Sequence, residues 1–99
     1  MQIRSGQAYS GIDLSEVDFT DLDLTDCAFN DCLFSDLILS NTVLEGARFK
    51  GSAFTGCRFA HADLREAVFE ECTLSAQQTG CQFAFSRMDM ARFTRCDLS

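Results

Sequence analysis

Residues 12–26 read IDLSEVDFTDLDLTD, three consecutive units of five residues with the same order of residue types. Each unit has an aliphatic residue, an aspartate, a Leu or Phe, and two polar residues. If the third residue of a unit is called position i, a large apolar residue recurs at this position along most of the chain. The series is Tyr9, Leu14, Phe19, Leu24, Phe29, Phe34, Leu39, Leu44, Phe49, Phe54, Phe59, Leu64, Phe69 and Leu74, and it resumes as Phe83, Met88, Phe93 and Leu98.

A period of five residues fits neither of the common regular elements. On an α-helix, residues five apart differ by about 140° around the axis, so the large side chains would point in every direction. On a straight strand, an odd spacing alternates between the two faces, so half of these side chains would point outward. The pattern therefore predicts a chain that turns every five residues and returns each i residue to one common axis.

Position i−2 supports this interpretation, because it holds small or compact residues in most units. In an extended segment, residues two apart face the same side, so the i−2 side chains also point inward. All six cysteines, Cys27 and Cys32 among them, occupy this position. Their spacing follows the repeat rather than the CxxC-type spacing of a metal site, which predicts small apolar fillers. We expect free thiols rather than disulfides, and hence a reducing, cytoplasmic location.

The units IDLSE (12–16), VDFTD (17–21), LDLTD (22–26) and ADLRE (62–66) resemble the consensus of the pentapeptide-repeat family. The resemblance covers residues 7–99, so residues 1–6 are a lead-in and residues 1–99 form a single domain. It implies an all-β fold, a right-handed quadrilateral β-helix. Four units would make one square coil of about 20 residues, which gives about 4.6 coils for this chain.

The segment LSAQQTGCQF (74–83) interrupts the repeat, because nine residues separate Leu74 from Phe83 where ten are expected. We interpret residues 75–82 as an irregular corner, a tightened turn or bulge that Gly80 eases. The alternative interpretation is a short recognition loop.

The net charge of −7 is unevenly distributed along the chain. Residues 1–45 hold nine acidic residues and one basic residue, whereas residues 46–99 hold six acidic and seven basic residues. A protein of this charge is not expected to bind nucleic acid directly through a basic surface. No apolar run approaches the roughly 18 residues of a membrane span, and the N-terminal stretch lacks the apolar segment of a signal peptide.

The residues that enzymes use are sparse in this sequence. The one histidine, His61, falls at a corner position, i+2, and the cysteines are expected to face inward. A glycine-rich phosphate loop is not found. We therefore expect no enzymatic activity, no cofactor and no metal.

Eight acidic residues wrap the first coil and a half of the expected solenoid, and we call them the acidic ring. They are Asp13, Glu16, Asp18, Asp21, Asp23, Asp26, Asp31 and Asp36. Several pentapeptide-repeat proteins mimic DNA and bind type II topoisomerases, and the segments GCQF (80–83) and ARFTRCDLS (91–99) resemble quinolone-resistance members. The resemblance thus implies a protein partner such as DNA gyrase or topoisomerase IV. The alternative is local, since short polar side chains satisfy backbone groups at turns and keep a surface soluble.

A second hypothesis is a structural or scaffold module that self-associates by stacking its C-terminal coil. Phe85 and Met90 occupy corner positions that are polar in most units, and Leu98 ends the chain on a repeat. An ending of this kind also leaves open that the chain is one part of a longer product.

Leu33, Ile38 and Val43 occupy three successive i−1 positions, which normally face outward. We call them the apolar band, either exposed for a partner or half-buried against neighbouring side chains.

We predict a homodimer that the substitution Phe85→Asp converts to a monomer, because a carboxylate at an apolar contact is costly to desolvate. Light scattering of the purified protein measures the mass directly. The matched control is Asn41→Asp, which adds the same charge at another corner position and should leave the dimer intact. An unchanged mass for Phe85→Asp would contradict the prediction.

Overall fold

The computed structural model of the protein describes residues 3–75 and 86–97, in which eight short strands alternate with turns and no helix occurs. Each strand spans three residues and is centred on a position-i residue. The strands are β1 (Ala8–Ser10), β2 (Ala28–Asn30), β3 (Leu33–Ser35), β4 (Arg48–Lys50), β5 (Ala53–Thr55), β6 (Val68–Glu70), β7 (Thr73–Ser75) and β8 (Arg92–Thr94).

The strands form two parallel sheets, in the orders β1-β2-β4-β6-β8 and β3-β5-β7. Most neighbours are twenty residues apart in sequence, as in the pairing of Phe29 with Phe49 and of Phe34 with Phe54. Isolated parallel bridges with the same spacing supply a third face, at Ile38 and Arg58, and a fourth face, at Asp23 and Val43. The chain is therefore a four-sided β-solenoid, and the expected all-β fold is confirmed.

The core is a column of stacked aromatic rings inside the first sheet. Phe49 stacks on Phe29 and Phe69 at ring-centroid distances of 5.1 Å and 4.7 Å. It also meets Phe34 and Phe54 of the second sheet edge-on, at 5.8 Å and 5.3 Å. Stacked and edge-on contacts at these distances are the favoured aromatic geometries. The aromatic residues at position i thus hold successive coils together from the inside.

The buried polar atoms at position i−2 donate hydrogen bonds between coils. Thr42 Oγ1 donates to the carbonyl oxygen of Phe19 at 2.6 Å, and Ser52 Oγ donates to that of Phe29 at 3.2 Å. The Cys57 thiol reaches the carbonyl oxygen of Phe34 at 3.3 Å in the same way. The cysteines in the described part of the chain are free thiols, as expected. Four of them lie in the hydrophobic core as the expected small fillers, and their thiols in addition donate to backbone carbonyl oxygens, as Ser and Thr do.

The last described coil departs from the twenty-residue register. Phe69 pairs with Phe93, and Asp63 with Arg87, so both partners are 24 residues apart. This coil therefore contains four residues more than the others, whereas the loss of a single residue after Leu74 would give one residue fewer. The change falls between residues 75 and 86, and the expected corner 75–82 lies outside the described residues except for Ser75. The solenoid accordingly makes slightly fewer turns than the roughly 4.6 that a constant repeat predicts.

The corners between faces adopt the left-handed backbone conformation. Residues at position i+2 have positive φ angles from Gly6 (73°) to Arg95 (50°), and Glu16 is the one exception in the described part. On the third and fourth faces these corners close a hydrogen-bonded turn, as from Leu22 N to the carbonyl oxygen of Phe19 at 3.2 Å. Only glycine adopts this conformation without cost, and Asn and Asp tolerate it best among the others.

We predict that Phe49→Ala lowers the free energy of unfolding by about 3–5 kcal/mol, because it opens a cavity where four rings meet. Equilibrium urea unfolding followed by circular dichroism measures the change. Phe93→Ala is the matched control, since Phe93 is only partly buried, whereas Phe49 is fully buried. An equal loss of unfolding free energy in the two variants would contradict the larger contribution that we expect from the ring of the central coil.

Candidate protein-contact surface

All eight members of the acidic ring are exposed to solvent. Three of them, Asp13, Asp18 and Asp23, lie on three successive faces of the first coil, at position i−1. Glu16, Asp21, Asp26, Asp31 and Asp36 lie at five successive corners. The structure therefore brings these residues together as a band of carboxylates around one end of the solenoid.

The aspartates on the faces also have a local structural role. The side-chain oxygen Oδ1 of Asp13 accepts a hydrogen bond from Ser15 N at 3.0 Å, and Oδ1 of Asp18 accepts one from Thr20 N at 3.0 Å. Asp23 accepts one from the Thr25 backbone and another from its hydroxyl. The pKa values of Asp13 and Asp23 are below the usual value of an aspartate. The larger cause is the hydrogen bond from the side-chain hydroxyl of Ser15 or Thr25, and the smaller one is the hydrogen bond from the backbone N–H of the same residue. The carboxylates of Asp13 and Asp23 are thus anionic at neutral pH and held in fixed directions.

Three of the aspartates at the corners pack over glycines of the next coil. The carboxylate of Asp26 lies where a Cβ atom on Gly46 would be, and Asp31 lies over Gly51 in the same way. Asp36 and Gly56 repeat the arrangement on the next corner. The φ angles of Asp26, Asp31 and Asp36 are 61°, 55° and 54°. The alternative interpretation of these residues as turn formers is therefore part of the explanation for their presence.

The pairing of acid with glycine was missed in the sequence, although a signal was present. Asp26 and Gly46, and likewise Asp31 and Gly51, are twenty residues apart, which is one coil. When glycine follows an acidic residue at a distance of twenty residues, the pattern indicates that the acidic side chain occupies the space that a Cβ atom at the glycine position would fill.

The apolar band lies directly beside the acidic ring. Leu33 is the parallel bridge partner of Asp13, and Val43 is the bridge partner of Asp23. The Leu33 side chain is 39% exposed and that of Ile38 is 52% exposed, whereas Val43 is partly buried. The band was expected to be either exposed or half-buried. Leu33 and Ile38 are exposed, and Val43 is partly buried.

Two concave regions adjoin these side chains. A niche of about 240 Å³ lies next to Ile38 and is lined by Asp36, Leu37, Ile38, Gly56 and Arg58. A wider opening of about 700 Å³ lies at the N-terminal end of the solenoid. Its lining residues are Ile3, Arg4, Asp13, Glu16, Val17, Asp18 and Leu22.

Acidic residues do not continue along the whole length of the described solenoid. On the fourth face Asp23 is followed by Val43, Asp63 and Arg87 in successive coils. Asp63 is itself neutralised by Arg65, whose Nε and Nη2 donate to the two carboxylate oxygens at 2.8 Å and 2.7 Å. This paired guanidinium holds the pKa of Asp63 below its usual value. The free negative charge is therefore concentrated around the first coils.

The residues proposed for self-association are only partly described. Met90 lies at a corner of the last coil with a φ angle of 64°, and 74% of it is exposed. Phe85 and Leu98 lie outside the described residues. Of the three residues proposed for a contact surface at this end, Met90 is the one that the structure describes.

Other chemistry is sparse in the described part of the chain. His61 lies at an exposed corner with a φ angle of 63°. Within residues 3–75 and 86–97, no group of three or more His, Cys, Asp or Glu residues is arranged to hold a metal ion. A helix of the length and apolarity that crossing a bilayer requires is also not found among these residues.

We predict that Gly11→Ala costs about 1 kcal/mol of unfolding free energy, because alanine is strained at positive φ but meets no neighbour there. Gly46→Ala should cost about 1 kcal/mol more, because it also pushes the Asp26 carboxylate from its preferred rotamer. In an Asp26→Ala background the extra cost should vanish, which a double-mutant cycle in urea measures. An extra cost that persists without the Asp26 carboxylate would exclude this packing.

Comparisons with known proteins agree with the repeat and its geometry. The family described as "Pentapeptide repeat region" matches residues 7–79. A search of curated proteins finds no match.

Among solved structures, a pentapeptide-repeat protein from the thylakoid lumen of Arabidopsis thaliana superposes with a TM-score of 0.58 at 22% identity, covering 85% of this chain and 59% of that one. At this identity the likeness shows a common fold. The chain also matches a trypsin-treated form of QnrB1, a plasmid-mediated fluoroquinolone resistance protein, with a TM-score of 0.42 at 19% identity over 97% of this chain and 55% of that one.

A third match is HetL, which is involved in heterocyst differentiation regulation in the cyanobacterium Nostoc sp. strain PCC 7120. Its TM-score is 0.41 at 15% identity, with 89% of this chain and 45% of that one covered. The chain thus spans between about half and three fifths of the length of the first two structures. The matched span of residues 7–79, the five-residue period and the four-sided solenoid together show that this chain belongs to the pentapeptide-repeat family.

Proposed function

We propose that the chain is a non-enzymatic protein-binding module whose acidic ring and apolar band act as one contact surface. The observation that carries this proposal is the parallel pairing of Asp13 with Leu33 and of Asp23 with Val43. It sets a carboxylate directly beside a partly or fully exposed aliphatic side chain on the second face and on the fourth face, and Asp18 and the exposed Ile38 lie on the third face between them.

Such a surface is complementary to a patch of apolar residues flanked by Lys or Arg on a partner protein. The apolar side chains would supply the area removed from water, and the carboxylates would supply orientation and rate of association. Because each coil is hydrogen-bonded to the next, the surface is pre-organised, and little ordering entropy is lost on binding.

A type II topoisomerase, such as DNA gyrase or topoisomerase IV, is the specific partner that we propose to test first. The acidic ring supports this choice, since an enzyme that binds duplex DNA has a groove for a polyanion. The interruption of the acids by Val43 and Arg87 on the fourth face favours contact with a limited basic patch over mimicry of an extended duplex. The free thiols support a reducing compartment, and we propose the cytoplasm.

The second candidate function is a scaffold module that self-associates through its last coil as a homodimer. Met90 favours it, because a methionine 74% exposed at a corner position offers apolar area for a second copy. The mass of the purified protein separates this candidate from binding to a different protein.

We predict that the protein inhibits gyrase supercoiling, or relieves its poisoning by a quinolone, and that Asp26→Asn/Asp31→Asn raises the half-inhibitory concentration about tenfold. Asparagine keeps the shape of the side chain and tolerates positive φ, so only charge is removed. The measurement is a supercoiling assay titrated with purified protein.

The matched control is Glu66→Gln/Glu71→Gln, which removes two charges at the same corner columns two coils further along and should leave inhibition unchanged. Equal effects of the two double variants would indicate that net charge alone acts. Absence of any effect by the folded wild-type protein would discard the topoisomerase proposal, and the apolar band would then guide the search for a partner.

A further inference from the structure

Two cysteines lie next to each other in one inward-facing column of the solenoid. Thr73 and Asp97 are parallel bridge partners, and Asp97 N donates to the carbonyl oxygen of Cys72 at 2.9 Å. Cys72 and Cys96 immediately precede these partners, so they occupy equivalent positions in successive coils. Their side chains therefore lie one above the other in this column.

The spacing of the two residues suits a disulfide. Paired parallel strands lie about 4.8 Å apart, and disulfides join Cα atoms that are about 4.4–6.8 Å apart. Within the described residues, two of the other cysteines have a different residue above them in the next coil. Cys27 is followed by Ala47, and Cys32 is followed by Ser52, which donates to the carbonyl oxygen of Phe29.

The two thiols differ in their exposure to solvent. Cys72 is buried, and this burial is the main cause that raises the pKa of its thiol to about 11. Cys96 is only partly buried, at the side of the last described coil. The Cys96 sulfur donates to the carbonyl oxygen of Phe69 at 3.1 Å, and that of Cys72 donates to Phe49 at 3.2 Å. A small oxidant therefore reaches Cys96 first.

We propose that Cys72 and Cys96 are a redox modification site, which closes to a reversible disulfide on reaction with a small-molecule disulfide such as oxidised glutathione. The Cys96 thiolate, after loss of its proton to water, attacks one sulfur of the oxidant and releases one glutathione thiolate. The Cys72 thiol then loses its proton and attacks the Cys96 sulfur, which releases the second glutathione. Two protein thiols are oxidised and one glutathione disulfide is reduced to two thiols.

The bond would tie the last described coil to the coil before it. The segment enclosed between the two cysteines contains the change of register and the exposed corner residue Met90. In the reduced protein this coil is held by backbone pairing and by the stacking of Phe93 on Phe69. A covalent link restricts the unfolded chain and stabilises the coil that closes this end.

The test is peptide mapping of the full chain after exposure to oxidised glutathione, in a Cys81→Ser background. The background is needed because trypsin leaves Cys72 and Cys81 on one peptide, residues 66–87, and leaves Cys96 on residues 96–99. We expect a link between these two peptides, a mass decrease of two hydrogen atoms in the intact protein, and reversal by a thiol reductant. Thermal unfolding should shift upward by several degrees on oxidation.

Cys72→Ser and Cys96→Ser should each abolish the link and the thermal shift, whereas the control Cys32→Ser should abolish neither. Serine is accommodated in this column, because Ser52 occupies it natively and makes the equivalent hydrogen bond. A stable glutathione adduct on Cys96 without the link would overturn the proposal. Oxidation of Cys27 and Cys32 at a rate equal to that of Cys72 and Cys96 would overturn it as well.

Discussion

The parallel hydrogen bonding of each coil to the coil before it is the constraint on which the rest of this structure depends. The pairing of residues twenty apart, as at Phe29 and Phe49, fixes which side chains become neighbours on the inside and on the outside. Inside, it aligns aromatic rings at stacking distance, and Ser, Thr and Cys donors meet carbonyl oxygens. Outside, the same pairing places Asp13 beside Leu33, so the candidate contact surface is a direct product of the ladder.

The interior of this fold was predictable from the sequence because large apolar residues repeat at a constant spacing and must be buried in the core. Phe29, Phe49 and Phe69 recur at intervals of a full coil, and burial of an aromatic ring is a strong and non-directional driving force. The change to 24 residues before β8 was not predictable. Counting from Leu74 to Phe83 gives nine residues whether the coil loses one residue or gains four, and only the pairing of Phe69 with Phe93 decides between them.

The candidate surface was predictable in its location and only partly in its chemistry. The positions of Asp26 and Asp31 at exposed corners follow from the repeat, but their contact with glycines depends on the next coil. The hydrogen-bonding role of Cys57 was hidden because a thiol is read as apolar, although Ser and Thr share its position in the repeat. One set of aspartates thus serves the backbone and provides the charge that a partner could recognise, and the two roles do not compete.

At two of the four corners, glycine and acid alternate from coil to coil, and this alternation limits how these corners can be duplicated. One corner column reads Gly6, Asp26, Gly46 and Glu66, and the next reads Gly11, Asp31, Gly51 and Glu71. Duplication of a single coil would place acid over acid, or glycine over glycine, at the junction. Like charges would then repel, or space would be left unfilled. At these two corners, the duplication unit that preserves the packing is a pair of coils, twice the repeat that the backbone alone requires.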